Sequence, residues 1–234
     1  MNIFQRIRSV LKSACNDSRK ISFSQCGEDI IVNFILSSLG ISNPTYLDIG
    51  AYHPTNLNNT YYFYLKGCSG VLIEPDPQNY RILKNKRNKN TVLNVGIGID
   101  DALMADFFIM TTKTLNTFSR EDAERLILYG NQKIEQVLKI PLKNINSIIK
   151  EHFQTCPNFV SLDVEGLDYE ILKSFDFLKF RPQVFCIETL SYTEDNTERK
   201  IYEIIDLMKE KDYLPYADTY INTIFVEAKA WRNR

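Results

Sequence analysis

Short apolar runs alternate with amphipathic stretches along most of this chain. Apolar runs of roughly four to eight residues read as buried strands, and apolar positions spaced three and four apart read as helices. Strands are predicted at residues 46–49, 70–76, 91–95, 159–163 and 182–188. Helices are predicted at 56–66, 77–86, 144–152, from Gly166 to Phe175, and at 194–211. In the helix at 77–86, Tyr80 and Leu83 face inward, and Arg81, Lys84, Lys86 and Arg87 form an outward basic face. Two final strands, 213–219 and 223–227, read as an antiparallel pair. Strands alternating with helices imply an α/β fold, a mainly parallel sheet with helices on both faces.

Three stretches depart from that rhythm. Residues 1–12 place Ile3, Phe4, Ile7, Val10 and Leu11 at helical spacing between Arg6, Arg8 and Lys12. Such a helix suits its own domain, a membrane surface or a partner. Gln25, Glu28 and Asp29 open a second helix that ends at Gly40, where they serve as caps or as cofactor contacts. Strands at 102–109 and 132–142 flank a helix capped by Ser119. This segment reads equally as a lid or substrate wall and as an edge hairpin. With no repeat or linker, residues 1–234 are expected to form one domain, with 1–40 as N-terminal helices and 102–142 as the lid or hairpin.

Composition adds bounds. Net charge is −1, so no bulk attraction to nucleic acid or an anionic membrane is expected. Five cysteines without a C-x-x-C pair read as reduced thiols. No apolar run is long enough for a signal peptide or a membrane span, which points to the cytoplasm.

The chemistry gathers at Thr45–Pro54. There a strand ends at Asp48-Ile49 and Gly50-Ala51 lets the backbone turn tightly. No Gly-x-Gly-x-x-Gly follows to hold a pyrophosphate, which argues against a nicotinamide-dependent oxidoreductase. An aspartate at the strand end suits a cofactor carrying positive charge, such as the sulfonium and ammonium of S-adenosylmethionine (SAM). Four strands end in acids: Asp48, Glu74, Asp163 and Glu188. Each singly can cap the next helix, but ligands of open α/β sheets lie beyond the strands' carboxyl ends. Glu74 is placed to accept hydrogen bonds from both ribose hydroxyls, and Asp48 to meet the cationic end of the cofactor. Asn94, Val95 and Gly96 would lie near the adenine edge. Asp163 and Glu188 remain for the reacting centre, where the two could share a divalent cation, Mg or Mn. Without a metal, Asp163, Glu165 or His53 is the candidate general base. His53, directly after the turn, serves equally as a structural residue or a cofactor neighbour.

Phe23-Ser-Gln-Cys-Gly-Glu-Asp29, Leu47-Asp-Ile-Gly-Ala-Tyr-His-Pro54, Val71-Leu-Ile-Glu-Pro-Asp-Pro77, Leu142-Lys-Asn-Ile-Asn-Ser-Ile148 and Leu162-Asp-Val-Glu-Gly-Leu-Asp168 follow in this order. Together they resemble the FkbM-type family of SAM-dependent methyltransferases. The resemblance implies a Rossmann-like, seven-stranded sheet with the last strand inserted antiparallel. It implies O-methylation of a hydroxyl on a sugar, glycan precursor or secondary metabolite, with a small-molecule or nucleotide-sugar acceptor in carbohydrate biosynthesis. By motif, Asp48, Gly50 and Glu74 would hold SAM, with Gln25, Glu28, Ala51, Tyr52, Pro75 and Asp76 beside them. Asp163, Glu165 and Gly166 would face methionine and acceptor. Asn94-Val-Gly-Ile-Gly98 departs from the family, which often has a small residue and a serine there. A catalytically inactive SAM-binding module in a biosynthetic assembly is the rival reading, and a homo-oligomer is compatible with either.

Overall fold

Strand β1 (Tyr46–Ile49) is buried along its whole length, and its alternating side chains feed two separate apolar layers. Leu47 and Ile49 join one, while Tyr46 joins the other, as the period of two in a strand requires. The same alternation runs through β2 (Gly70–Ile73), β7 (Phe159–Leu162) and β8 (Val184–Glu188), so helices cover both faces of one sheet. In this computed structural model, which describes residues 20–164, 166–191 and 197–234, the sheet has seven strands in the order β3-β2-β1-β7-β8-β10-β9. Here β3 is Thr91–Leu93, β9 Tyr213–Asp218 and β10 Asn222–Glu227. Strands β3, β2, β1, β7 and β8 are parallel, and β10 is inserted antiparallel between β8 and β9. This is the strand order of the SAM-methyltransferase fold.

One layer holds α1 (Glu28–Ser38) and α2 (Tyr61–Leu65), with α3 (Pro77–Lys86) packing through Leu83. The opposite layer holds α5 (Ile145–His152), α6 (Asp168–Ser174) and α7 (Tyr202–Glu210). A final short helix, α8, spans Ala228–Arg232. A second sheet of three strands is built from β4 (Gly96–Ile97), β5 (Met104–Met110) and β6 (Ile134–Lys143), in the order β4-β6-β5. Between β5 and β6, α4 (Arg120–Tyr129) begins at Ser119, whose hydroxyl accepts from the Asp122 amide at 3.1 Å. Phe108, Met110, Ala123 and Leu126 close a small core of their own there.

Several boundaries differ from expectation. The helix predicted at 56–66 is reduced to α2, because the Asn58 side chain accepts from the Thr60 amide and donates to the Ala51 carbonyl, which holds the chain ahead of Tyr61 in a local turn. Of the helix predicted at 194–211, the described residues are helical at 202–210. Residues 199–201 instead run back along 189–191, through bonds from Ser191 N to Arg199 O and from Ile201 N to Thr189 O. Arg87, expected on the outward basic face, is fully buried. The predicted N-terminal helix at 1–12, along with Glu165 and Glu194, lies outside the described residues.

Candidate functional site

The carboxyl ends of β1, β2, β7 and β8 open into a cavity of about 550 Å³. Gly50 and Tyr52 reach it from β1, Glu74 and Pro75 from β2, Asp163 and Val164 from β7, and Glu188 and Leu190 from β8. Tyr220 and Ile221, in the turn between β9 and β10, close the far end, and Gln25 joins from ahead of α1. The second sheet supplies a wall: Phe107 from β5, Lys113 to Asn116 from the turn after it, and Phe118.

Gly50 is required by close packing. Its φ is +82°, and a Cβ on it would lie 1.8 Å from the carbonyl oxygen of Asp163. The β1 and β7 turns thus touch backbone to backbone, and this contact sets Asp163 beside Gly50. Five described non-glycine residues have a positive φ, and three of them, Tyr52 (46°), Leu57 (52°) and Tyr220 (76°), line the cavity. The other two, Asn131 and Asp212, are of types that tolerate this region. Backbone strain in bulky side chains is therefore concentrated at the cavity wall.

The carboxylates are held in specific ways. Glu74 is 4% exposed, and its two oxygens accept from the Tyr52 and Asp76 amides, both at 2.8 Å. Burial pushes its pKa up to about 8 against those stabilising bonds, with Asp76 and Asp48 adding repulsion. Asp163, partly buried, is hydrogen-bonded to Glu188. Desolvation raises its pKa to about 6 and the bond from Glu188 opposes, while Asp48 and Glu28 add to the rise. Two carboxyl groups bonded to each other share a proton, so the pair is poised to pass one.

A smaller cavity of about 120 Å³ adjoins the first, and the two have Leu115, Glu188, Leu190 and Ser191 in common. Asp168, Thr117 and the ion pair of Arg125 with Asp122 (3.1 Å) line its other side. Asp168 is buried, and desolvation raises its pKa to about 7. It was visible in the sequence only as the last residue of a motif. Tyr220 and Glu198, joined by a 2.8 Å bond at the mouth of the larger cavity, carried no sequence signal.

Of the residues singled out from the sequence, Gln25, Gly50, Tyr52, Glu74, Pro75, Asp163 and Glu188 line the larger cavity. Others stand behind its wall. Glu28 accepts from Thr219 (2.6 Å) and Asn222 (3.2 Å) and so ties α1 to the β9–β10 turn. Asp48 is buried on the α2 face of the sheet and accepts from Thr60 (2.6 Å) and Asn58 (3.3 Å). Strand parity explains this, because Asp48 lies two residues from Tyr46 and shares its face. The buried Ala51 donates its amide to Ile73 O. Asp76 caps α3 through the Gln78 amide and accepts from Asn116. The Asn94 side chain donates to the carbonyls of Glu74 and Pro75, Val95 packs against the core, and Gly96 lies in β4 against Phe118. The His53 ring accepts from the Asn56 amide at 3.0 Å in a local turn and is not among the cavity-lining residues.

The expected metal centre is not supported. Among the described residues, no three His, Cys, Asp or Glu side chains are grouped to hold a metal ion. Asp163 and Glu188 are occupied with each other, whereas a hard divalent cation takes about six oxygen ligands. SAM does fit. Glu74, fixed by two amides, presents an acid to ribose hydroxyls, and Asp163 and Glu188 give the cavity an acidic lining that suits a sulfonium and an ammonium. No helix among the described residues is long and apolar enough to cross a membrane.

Among solved structures the chain is similar to an O-methyltransferase from Bacillus cereus in complex with S-adenosylhomocysteine (SAH). Identity is 12%, the match covers 95% of this chain and 89% of that one, and the TM-score is 0.43. It is similar to 1,6-didemethyltoxoflavin-N1-methyltransferase from Burkholderia thailandensis, at 10% identity, 94% and 87% coverage and TM-score 0.44. A putative O-methyltransferase from Klebsiella pneumoniae matches at 8% identity, 90% and 83% coverage and TM-score 0.47. At these scores it is the strand order, not the likeness, that identifies the fold. Curated protein sequences give no match. The family model described as the methyltransferase FkbM domain matches residues 48–215, from β1 into β9 and more than half of the chain. The chain therefore belongs to the FkbM methyltransferase domain family, and it is a SAM-dependent methyltransferase.

Proposed function

We propose that the chain transfers the methyl group of SAM to a hydroxyl oxygen of a sugar, glycan precursor or secondary metabolite. The observation that carries this reading is the hydrogen bond between Asp163, whose pKa burial raises, and Glu188, which lines both the large cavity and its smaller neighbour. Gly50, Tyr52 and Glu74 would hold the cofactor in the larger cavity, with Gln25 and Pro75 beside them. The smaller cavity, with Asp168 and Arg125, would take the acceptor.

When bound, SAM supplies an electrophilic methyl group on a cationic sulfur. An acceptor hydroxyl would be placed near Glu188, which lines both cavities, and Phe107 and Phe118 would help to keep water from the methyl group. The Asp163–Glu188 pair would take the proton that the acceptor hydroxyl gives up on methylation. A base in this position is worth about 10²–10⁴-fold in rate, and alignment of oxygen and methyl supplies much of the rest. Glu165, the sequence's other candidate base beside Asp163, is a further candidate for this proton.

Incubation with labelled SAM and a panel of nucleotide sugars, glycan precursors and polyols, read by mass spectrometry, tests the proposal. Methyl ethers are the expected products. Label on nitrogen or carbon would overturn the O-specific reading, and SAM binding without transfer to any acceptor would favour the inactive module.

A further inference from the structure

Arg87 is the largest fully buried side chain of the described residues, although it follows directly on the basic outer face of α3. A guanidinium has five N–H donors, and here every one is used. Nε donates to Asn90 Oδ1 at 3.0 Å. One terminal nitrogen donates to the Pro54 carbonyl (3.1 Å) and to Asn58 Oδ1 (3.2 Å). The other donates to the Tyr46 hydroxyl (3.2 Å) and to Thr60 Oγ1 (3.0 Å). The rings of Tyr64, Tyr61 and Tyr46 stand at 4.7, 5.5 and 5.9 Å from its central carbon.

These contacts converge on one segment. Pro54, Asn58 and Thr60 belong to the loop after β1, whose outer side supplies Gly50, Tyr52 and Leu57 to the cavity. The Thr60 hydroxyl donates a hydrogen bond to Asp48 at 2.6 Å, and Asn58 bridges Asp48 and the Ala51 carbonyl at 3.3 and 3.1 Å. Two of the loop's residues, Tyr52 and Leu57, hold a positive φ that their side chains disfavour. Something must over-determine that conformation, and the guanidinium fork inside the loop does so from the side away from the ligand.

We infer that Arg87 is a positioning residue for the methyl donor: it fixes the strained loop that forms the cofactor wall without touching the cavity. It compensates the buried charge of Asp48 as well, so the loop's geometry and its electrostatics depend on the same side chain. Lysine cannot replace it, having a point charge and three donors where a planar fork reaches five acceptors. The inference rests on the reading that the larger cavity binds SAM.

The test is calorimetric titration of SAH into the wild-type chain and into Arg87→Lys, Arg87→Met with Asp48→Asn, and Ile148→Ala. The second variant removes the buried charge together with its partner, so that folding survives. The third is a core truncation in α5, on the far side of the sheet, and controls for lost stability. Measured where circular dichroism shows each variant folded, SAH affinity is expected to fall about tenfold or more in both Arg87 variants and to stay within about twofold in Ile148→Ala. Wild-type affinity in a folded Arg87→Lys chain, or an equal loss in the control, overturns the inference. Absence of SAH binding by the wild-type chain overturns the reading beneath it, a distinguishable result.

Discussion

Asp48 and Asp163 are the same residue type on adjacent parallel strands, yet their surroundings differ in kind. Asp163 donates its amide to Ile49 O, one residue past Asp48, so the two are near neighbours. Burial raises the pKa of both. At Asp48 the rise is opposed by bonds from Thr60 and Asn58 and by the Arg87 cation. At Asp163 the further charges are anions, Asp48 and Glu28, and its bonding partner is another acid. One carboxylate is compensated within the fold. The other sits at a cavity with no cation among the causes of its shift, and groups perturbed in this way mark functional sites.

The sharpest way to break this comparison is Asp163→Asn. It should cut turnover by about 10²–10⁴-fold, the range of a general base, while SAH still binds. Wild-type turnover would remove Asp163 from the mechanism. The pH–rate profile sharpens the same point, since activity should rise with pH through about 6, where the pair loses its proton. A profile flat through that range would assign the proton elsewhere.

Gly50→Ala tests the backbone contact that places the two acids together. A Cβ there would lie 1.8 Å from Asp163 O at a φ of +82°. A loss of about 3 kcal/mol or more in denaturant unfolding is expected, from strain and forced displacement of the β7 turn. A loss below about 1 kcal/mol would show that the turns separate freely.

Glu74 supplies a pH-dependent effect. Its folded pKa of about 8 lies above the ordinary value of 4.5, so the folded state binds the extra proton between them. The contribution is fully present below the ordinary value and is lost as pH rises through about 8. The cofactor-free chain should therefore lose thermal stability over that window, and Glu74→Gln should flatten the loss. Equal slopes would contradict the assignment. The smallest effect belongs to Ser119→Ala in the wall segment, a residue that does not line the larger cavity. Loss of the cap should cost about 1 kcal/mol of stability with SAH affinity unchanged.

Much of the fold could be read from the sequence because parallel strands buried on both faces leave continuous apolar runs, as at Val71-Leu72-Ile73 and Val184–Ile187. The rim acids Glu74, Asp163 and Glu188 were legible for the related reason that they end those runs. Asp48 was read as a rim residue, but it lies inside the strand, and parity turns it to the α2 face. Arg87 was illegible because its helical context places it among Lys84 and Lys86 on a basic face. The acceptors that bury it come from Tyr46 to Asn90, most of them distant in sequence. The cavity wall at Phe107, Phe118 and Tyr220 depends on how the second sheet and the β9–β10 turn pack over the first, which no local pattern encodes.

We propose that the acid-rimmed cavity binds the methyl donor through Glu74 and performs its chemistry at Asp163. Calorimetric titration of SAH into wild type, Glu74→Ala and Asp163→Asn tests it most directly. Saturable binding of one SAH per chain is expected, weakened about tenfold or more in Glu74→Ala by loss of the hydrogen-bonding carboxyl, and retained in Asp163→Asn. No binding by the wild-type chain, or equal affinity in Glu74→Ala, would contradict it.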